Sequence, residues 1–485
     1  MSYIKFAKNI FTVGFLDFLG MAQGLIFLSL ITKTLGAVDY GIWSQIRVTV
    51  GLVVSVAFLG MHEALIRFIP GDKDEKNVKE GVYSSVFLMF CINLAISLFL
   101  MAFSDYVASF LKISQTFVKI LSLIVIFESL NSIFLVAIRA KREIGKYFWF
   151  MASKMTSEII LLTIVIFLGY GILGVVISYL LVKILFFISL LFYIIKKIGF
   201  KFPDFSLVKK YLSFGLPTMA DGLFYWIVTS SDRYLIAFFL GIIFVGYYVP
   251  AYSIAYLLTT FIFPLSFMLS VILPKFFDED NMVQVQNYLR NSLKYFWGIV
   301  LPAAFVISVL SRKLLILFST REIANNAYFV VPFIAAGIFL YGLTYFFSQI
   351  LVLAKKTKII ASIWAAAAFL NLGLNIIFIP FLGILGAAIT TFLAYLCALL
   401  LMHYFAFREF RFKVEWAFVL KTTIASIFIA FFILLIDLQG LPGLILSIVF
   451  SIIVYLALMA LLKGFSSKEF IFLKSLIHEM AIFNK

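Results

Sequence analysis

Leu35-Gly36-Ala37-Val38-Asp39-Tyr40-Gly41-Ile42-Trp43 separates two long apolar runs, and 205 positions later Leu240-Gly241-Ile242-Ile243-Phe244-Val245-Gly246-Tyr247-Tyr248 does the same. Glycines at such a turn let the backbone reverse with positive φ, and the aromatic beside them suits a membrane–water interface. Two further markers follow in the same order. Gly171-Ile172-Leu173-Gly174 returns as Gly383-Ile384-Leu385-Gly386 at an offset of 212, and Ala140-Lys141-Arg142 as Ala354-Lys355-Lys356 at 214. Three ordered markers at nearly one offset point to a duplication; the competing reading is that Gly-rich turns arose independently between apolar helices.

The composition, 64% apolar and 13% charged over 485 residues, holds more hydrophobic surface than a soluble core of this size buries. The chain reads as an all-α integral membrane protein. Fourteen apolar runs of about 20 residues, the length that crosses roughly 30 Å of hydrocarbon, follow one another from Ile10–Ile31 to Pro442–Leu462. Spans two, seven and eight are expected as continuous runs at Ile46–Ile66, Ser213–Leu240 and Ile242–Met268. The first run is too long for a signal peptide and lacks a small-residue cleavage site after it.

A net charge of +16 is compatible with nucleic-acid binding, but the distribution argues for a membrane. Alternate loops, with the two ends, hold about 27 of the 39 Lys and Arg, and the intervening loops about six. The positive-inside rule then places both termini in the cytoplasm of a multi-pass cell (inner or plasma) membrane protein, as an even number of spans requires. Each repeat copy holds six spans, so both copies enter the membrane in the same direction, a parallel repeat. The expected units are a first lobe at 1–200, a second at 201–407, spans 13 and 14 at 408–465, and an amphipathic cytoplasmic tail at 466–485 that opens on the capping-box pattern Ser466-x-x-Glu469.

No loop is long enough to fold a soluble catalytic domain, and a Walker sequence is absent. An enzyme is therefore not expected, and uphill transport would draw on an ion gradient, H+ or Na+, or on a substrate gradient, rather than on ATP. Cys91 and Cys397 lie within spans without a ligand pattern and read as buried free thiols; three scattered histidines offer no metal site. No cofactor or nucleic-acid partner is expected.

Charges inside spans cost at least about 2.5 to 3.5 kcal/mol each on insertion scales, so they face partners, water or substrate. Asp17, Glu63, Arg67 and Asp221 fall in the cytoplasmic third of their spans, and Arg47 and Asp232-Arg233 in the outer third. Lys154 and Glu158 share one helical face, with Glu128 and Lys183 at mid-depth on the neighbouring spans. That group reads equally as an internal ion-pair set or as a functional one. For Arg67 and Asp232-Arg233, near span ends, snorkelling or turn anchoring is an equally good account, and Arg47 and Asp17, on the spans that flank the first repeated turn, are the stronger functional candidates. Pro217, Pro250 and Pro264 suggest helices kinked around a cavity or kinked merely for packing.

The strings Leu35-Gly36-x4-Gly41-Ile42-Trp43, Gly60-Met61-x-x-Ala64-Leu65-Ile66-Arg67-Phe68, Phe214-Gly215-Leu216-Pro217 and Ser231-Asp232-Arg233-Tyr234-x5-Leu240-Gly241-x4-Gly246-Tyr247-Tyr248-x-x-Ala251 resemble Wzx-like polysaccharide-biosynthesis flippases of the multidrug/oligosaccharidyl-lipid/polysaccharide (MOP) exporter superfamily. The resemblance implies a MATE-like fold that carries a polyprenyl-pyrophosphate-linked oligosaccharide from the cytoplasmic to the outer leaflet by alternating access. It implies as partners the lipid-linked oligosaccharide, the bilayer, and the polymerase and chain-length machinery of the same pathway. Such a cargo calls for cations toward its phosphates, for which Arg47, Arg67 and Arg233 are the candidates. Tyr225, Trp226, Tyr247, Tyr248 and Tyr252 are candidates for stacking on sugars, though aromatics at these spacings are more often packing residues. Asp17, Glu63, Asp221 and Asp232 are candidates for a coupling ion.

Rival readings are a multidrug and toxin extrusion cation antiporter, which usually has twelve spans and a proline in the first, and a lipid II flippase. An integral-membrane polysaccharide polymerase, a different class, would be expected to carry a long outer loop, and the outer loops here are short.

Overall fold

The structure, a computed structural model, describes residues 3–71, 74–203, 207–436, 438 and 440–464. The tail at 466–485 and its capping-box pattern lie outside the described residues. Among those residues every regular element is helical. The segment expected as the first lobe comprises α1 (Tyr3–Thr34), α2 (Ala37–Ala57), α3 (Met61–Phe68), α4 (Glu75–Ala102), the short α5 (Ser104–Leu111), α6 (Gln115–Ala140), α7 (Ile144–Phe167) and α8 (Gly171–Ile198). The second comprises α9 (Val208–Ser230), α10 (Asp232–Leu240), α11 (Ile242–Tyr256), α12 (Thr259–Asp278), α13 (Met282–Val309), the short α14 (Ser311–Phe318), α15 (Arg321–Ala327), α16 (Val330–Leu353), α17 (Thr357–Leu382) and α18 (Ile384–Glu409). Two further helices, α19 (Trp416–Ile436) and α20 (Gly440–Leu461), follow. Thirteen of the described helices are long and apolar enough to cross a membrane. The pass formed by α9 and α10 makes the fourteenth.

Spans two, seven and eight are each two helices, not the continuous runs expected from sequence. Span two breaks between α2 and α3, where Leu59 and Gly60 take φ of 46° and 70° in succession. Span seven breaks at Ser231. Span eight breaks at Leu257–Leu258, whose N–H groups bond three residues back, to Ile254 at 3.3 Å and Ala255 at 3.1 Å. Pro250 and Pro264 flank that break inside α11 and α12. Hydropathy averaged over a whole span is blind to such breaks: Leu59-Gly60 and Leu257-Leu258 are no more polar than their surroundings, and the polar Ser231-Asp232-Arg233 is outweighed by the apolar runs on either side.

The two copies of the repeated turn share a backbone geometry. Gly36 and Gly241, which open α2 and α11, have φ of 91° and 100° with ψ near extended. A side chain would be strained at either position. The third marker shifts by one residue, since the left-handed positions after α6 and α16 are Arg142 and Lys355, both at φ 59°.

The second glycine of each repeated turn serves packing between the lobes. A Cβ on Gly41 would lie 2.3 Å from the carbonyl oxygen of Ile242, and one on Gly246 would lie 1.9 Å from that of Ala37. Each copy thus seats its glycine on the backbone of the other, and α2 and α11 touch main chain to main chain. Beside them Ser29 Oγ donates to the Phe318 carbonyl at 2.9 Å, tying α1 to α14. This end of the molecule, the face of the repeated turns, is closed between the lobes.

The opposite face carries the basic loops. There Gly60 and Gly215 close one seam, where a Cβ on Gly60 would fall 1.9 Å from the Gly215 carbonyl oxygen. The other seam, between α1 and α12, holds an apolar cavity of about 810 Å³. Near this face Glu143 draws the ends of α7 and α8 together through Lys146 at 3.2 Å, Lys197 at 3.3 Å and the Tyr193 hydroxyl.

Cys91, expected to be buried, is exposed. It shares one face of α4 with the exposed Phe87, Phe90 and Leu94, at helical spacing, as a lipid-facing stripe would.

Candidate functional site

α1, α2, α7, α9, α10, α11 and α12 surround a central cavity of about 660 Å³, lined among others by Asp17, Arg47, Tyr225, Arg233, Tyr252 and Tyr256. Toward the turn face it adjoins a second cavity of about 350 Å³ that shares Arg47, Ser230, Arg233 and Ser253 and adds Gln23, Trp43 and Trp226. On its other side Asp17, Met21 and Phe263 line both the central cavity and the apolar one between α1 and α12. A polar, aromatic chamber therefore adjoins a greasy groove across shared side chains.

The two arginines differ in their surroundings. Arg233 donates to the Thr229 carbonyl at 2.7 Å, approaches Asp232 at 3.4 Å, and lies 4.7 Å from the centre of the Tyr252 ring. Arg47 makes no hydrogen bond or ion pair among the described residues. It rests against two rings, with Cζ 5.7 Å from the centre of Trp43 and 5.9 Å from that of Tyr179, while its head is exposed to the cavity. A guanidinium without a carboxylate partner keeps its fork of donors free for an incoming anion.

Arg67 is exposed on α3 and lines none of these three cavities. Glu63, one turn earlier on the same helix, sits 3.1 Å from His62. Asp17 is exposed in the cavity, without a hydrogen bond or ion pair among the described residues. The Asp221 side chain lies outside the described residues. Asp232 is wholly buried, accepting from the Arg233 N–H at 2.8 Å and from the Tyr248 hydroxyl. Next to it Ser231 faces Asn371 at 3.4 Å, and Asn371, Asn375 and Thr390 continue a buried polar chain.

Of the aromatic candidates, Tyr225, Trp226 and Tyr252 reach the cavities. Tyr247 and Tyr248 do not line them. Tyr247 donates to Glu322 at 2.6 Å, and Tyr248 is fully buried against Asp232. Tyr247 and Tyr252 point about 140° apart around α11, while Tyr248, on the same face as Tyr252 but one turn earlier, is taken up by Asp232.

Sequence reasoning missed Tyr256, Trp43 and Gln23 in the lining, and a wall of Tyr341, Trp364 and Tyr395 behind Tyr225, with ring centres 5.4 Å (Tyr225–Tyr341), 5.3 Å (Tyr225–Trp364) and 5.7 Å (Tyr341–Tyr395) apart. Tyr256 had a signal, the four-residue spacing from Tyr252. The wall had none, because its members come from α16, α17 and α18.

The chain's relatives agree with this architecture. A family model described as "Polysaccharide biosynthesis protein" matches residues 30–324. The "Probable low-salt glycan biosynthesis flippase Agl15" of Haloferax volcanii is 22% identical over 473 residues, covering 93% of both chains. Among solved structures, a lipid II flippase, MurJ, in an inward closed conformation superposes with a TM-score of 0.75 at 19% identity, over 94% of this chain and 98% of that one. An inward-facing multidrug resistance MATE family transporter of the MOP superfamily gives 0.69 at 15%, over 81% and 94%. With the match spanning more than half its length, this chain belongs to the polysaccharide biosynthesis protein family and has the fold of MOP-superfamily membrane transporters.

Proposed function

We propose that this protein flips a polyprenyl-pyrophosphate-linked oligosaccharide from the cytoplasmic to the outer leaflet of the cell membrane by alternating access, with both termini in the cytoplasm. The observation that carries the reading is the junction at Asp17, Met21 and Phe263, where a chamber bearing Arg47 and Arg233 meets an apolar groove. A lipid-linked glycan has that same division. Its phosphates suit the arginines, its sugars suit Tyr225, Trp226 and Tyr252, and its prenyl chain suits the groove between α1 and α12. The closed turn face and the parted α1–α12 seam correspond to a state loaded from the basic side.

Two cations against one carboxylate in the described lining give the chamber a positive excess, which attracts phosphate and repels the organic cations a drug antiporter exports. We further propose that Asp17, unpaired at the junction, carries the coupling ion. Deleting the gene in a host without a second flippase tests the function. Lipid-linked glycan should accumulate in the inner leaflet and surface polysaccharide should vanish; normal surface glycan would overturn the reading. For the coupling role, Asp17→Asn should remove the dependence of transport on the ion gradient, and transport that still follows the gradient would rule Asp17 out.

A further inference from the structure

Behind Arg47 lies a set of charges that the cavity does not contain. Lys183 of α8, 1% exposed, reaches Glu158 of α7 at 2.6 Å and Glu128 of α6 at 2.8 Å, and Lys154 of α7 reaches Glu128 at 2.9 Å. Asn131 donates to the Lys183 carbonyl at 2.9 Å, and Gln23 of α1 donates to Glu158 at 2.6 Å. Two carboxylates and two ammonium groups cancel, so the set is neutral as a whole. It meets the cavity through one ring. The Lys183 ammonium lies 4.2 Å from the centre of Tyr179, and Arg47 lies 5.9 Å from the same centre. Trp43 packs edge-on to Tyr179 at 5.1 Å, and Phe27 edge-on to Trp43 at 5.7 Å.

A lone buried lysine behind that ring would repel Arg47. Neutralised by Glu128 and Glu158, it adds no net repulsion at the ring it shares with the guanidinium, and both carboxylates lie within electrostatic reach of Arg47. Neither glutamate touches Arg47, so none of its donors is consumed.

We infer that Tyr179 is a positioning residue for Arg47, and that the Glu128–Lys154–Glu158–Lys183 set exists to make this possible. It holds the guanidinium in place by its face while leaving its N–H groups to the substrate phosphate. Fixing a donor fork without pairing it lowers the ordering cost when the anion arrives. The inference rests on the proposed reading of Arg47 as a phosphate ligand.

The test is a double-substitution cycle on purified full-length protein in detergent, with farnesyl pyrophosphate as the probe and calorimetric titration as the readout. Arg47→Ala should weaken binding about ten-fold or more, as loss of charge-assisted hydrogen bonds does. Tyr179→Leu should weaken it about three- to thirty-fold, the range of a desolvated cation–π contact, and Tyr179→Phe, which keeps the ring, should restore it. In an Arg47→Ala background, Tyr179→Leu should have no further effect.

Trp43→Leu, which removes the other ring against Arg47, carries the same expectation if Tyr179→Leu does not fold. An effect of Tyr179→Leu that persists undiminished without Arg47, or no effect in its presence, overturns the positioning role and leaves the phosphate reading intact. Wild-type affinity in Arg47→Ala overturns both.

Discussion

A methyl group on Gly246 would stand 1.9 Å from the carbonyl oxygen of Ala37, a residue in the first repeat copy, which is closer than any real contact. The Ala37 carbonyl belongs to the first turn of α2 and cannot rotate aside without moving the helix. Gly246→Ala should therefore pry α2 from α11 and disfavour the state closed at the turn face. In a Cys91→Ser, Cys397→Ser background, a cysteine at Ser253 should become more reactive to an impermeant maleimide added from the turn side. No gain in labelling would mean that the two helices separate by some other route.

Arg47 and Arg67 are both phosphate candidates by sequence, and they occupy different environments. Arg47→Ala should lower flux of a lipid-linked substrate in proteoliposomes by about ten- to a hundred-fold at subsaturating concentration, since a charge-assisted hydrogen bond is worth roughly 1.5–3 kcal/mol. Arg67→Ala should stay within about two-fold of wild type, because Arg67 lines none of the described cavities. Equal losses at both positions would count against the central cavity as the route.

Lys183 joins two glutamates at 1% exposure. Lys183→Met would leave Glu128 and Glu158 facing each other with Lys154 alone to balance them. Breaking one side of a buried pair costs about 3–5 kcal/mol. Thermal unfolding in detergent should show a large loss of midpoint for Lys183→Met, and a smaller one for Lys183→Met combined with Glu158→Gln.

Glu143 offers a pH prediction outside the spans. Partial burial pushes its carboxyl up, but hydrogen bonds from Tyr193, Lys146 and Lys197 outweigh this and hold it below the ordinary 4.5. A lowered carboxylate contributes stability that is full above the unfolded value and lost as the pH falls through the folded one. Glu143→Gln should accordingly shrink the fall in unfolding midpoint as the pH is taken from neutral to well below the ordinary carboxylate range, about pH 3. An unchanged fall would show that the contact contributes nothing to stability.

What the sequence by itself determined is a matter of length, period and sign. Apolar runs of spanning length require a membrane, alternating basic loops set an expected orientation, and the repeated glycines point to a duplication, because each of these is a property of consecutive residues. The function of Gly41 and Gly246 was not legible in this way. Their spacing says that a turn recurs, whereas the contact between the copies appears only when two distant helices meet.

The charged residues mark the same boundary. Lys154 and Glu158 stand four apart on α7, and helical period puts them on one face. Yet Lys154 pairs with Glu128 of α6 and Glu158 with Lys183 of α8. Period fixes where side chains stand around their own axis; it does not fix how that axis is rotated against its neighbours. That rotation is set by packing among α6, α7 and α8, and it decided which intramembrane charges were consumed in pairs and that Arg47 was left free to face the cavity.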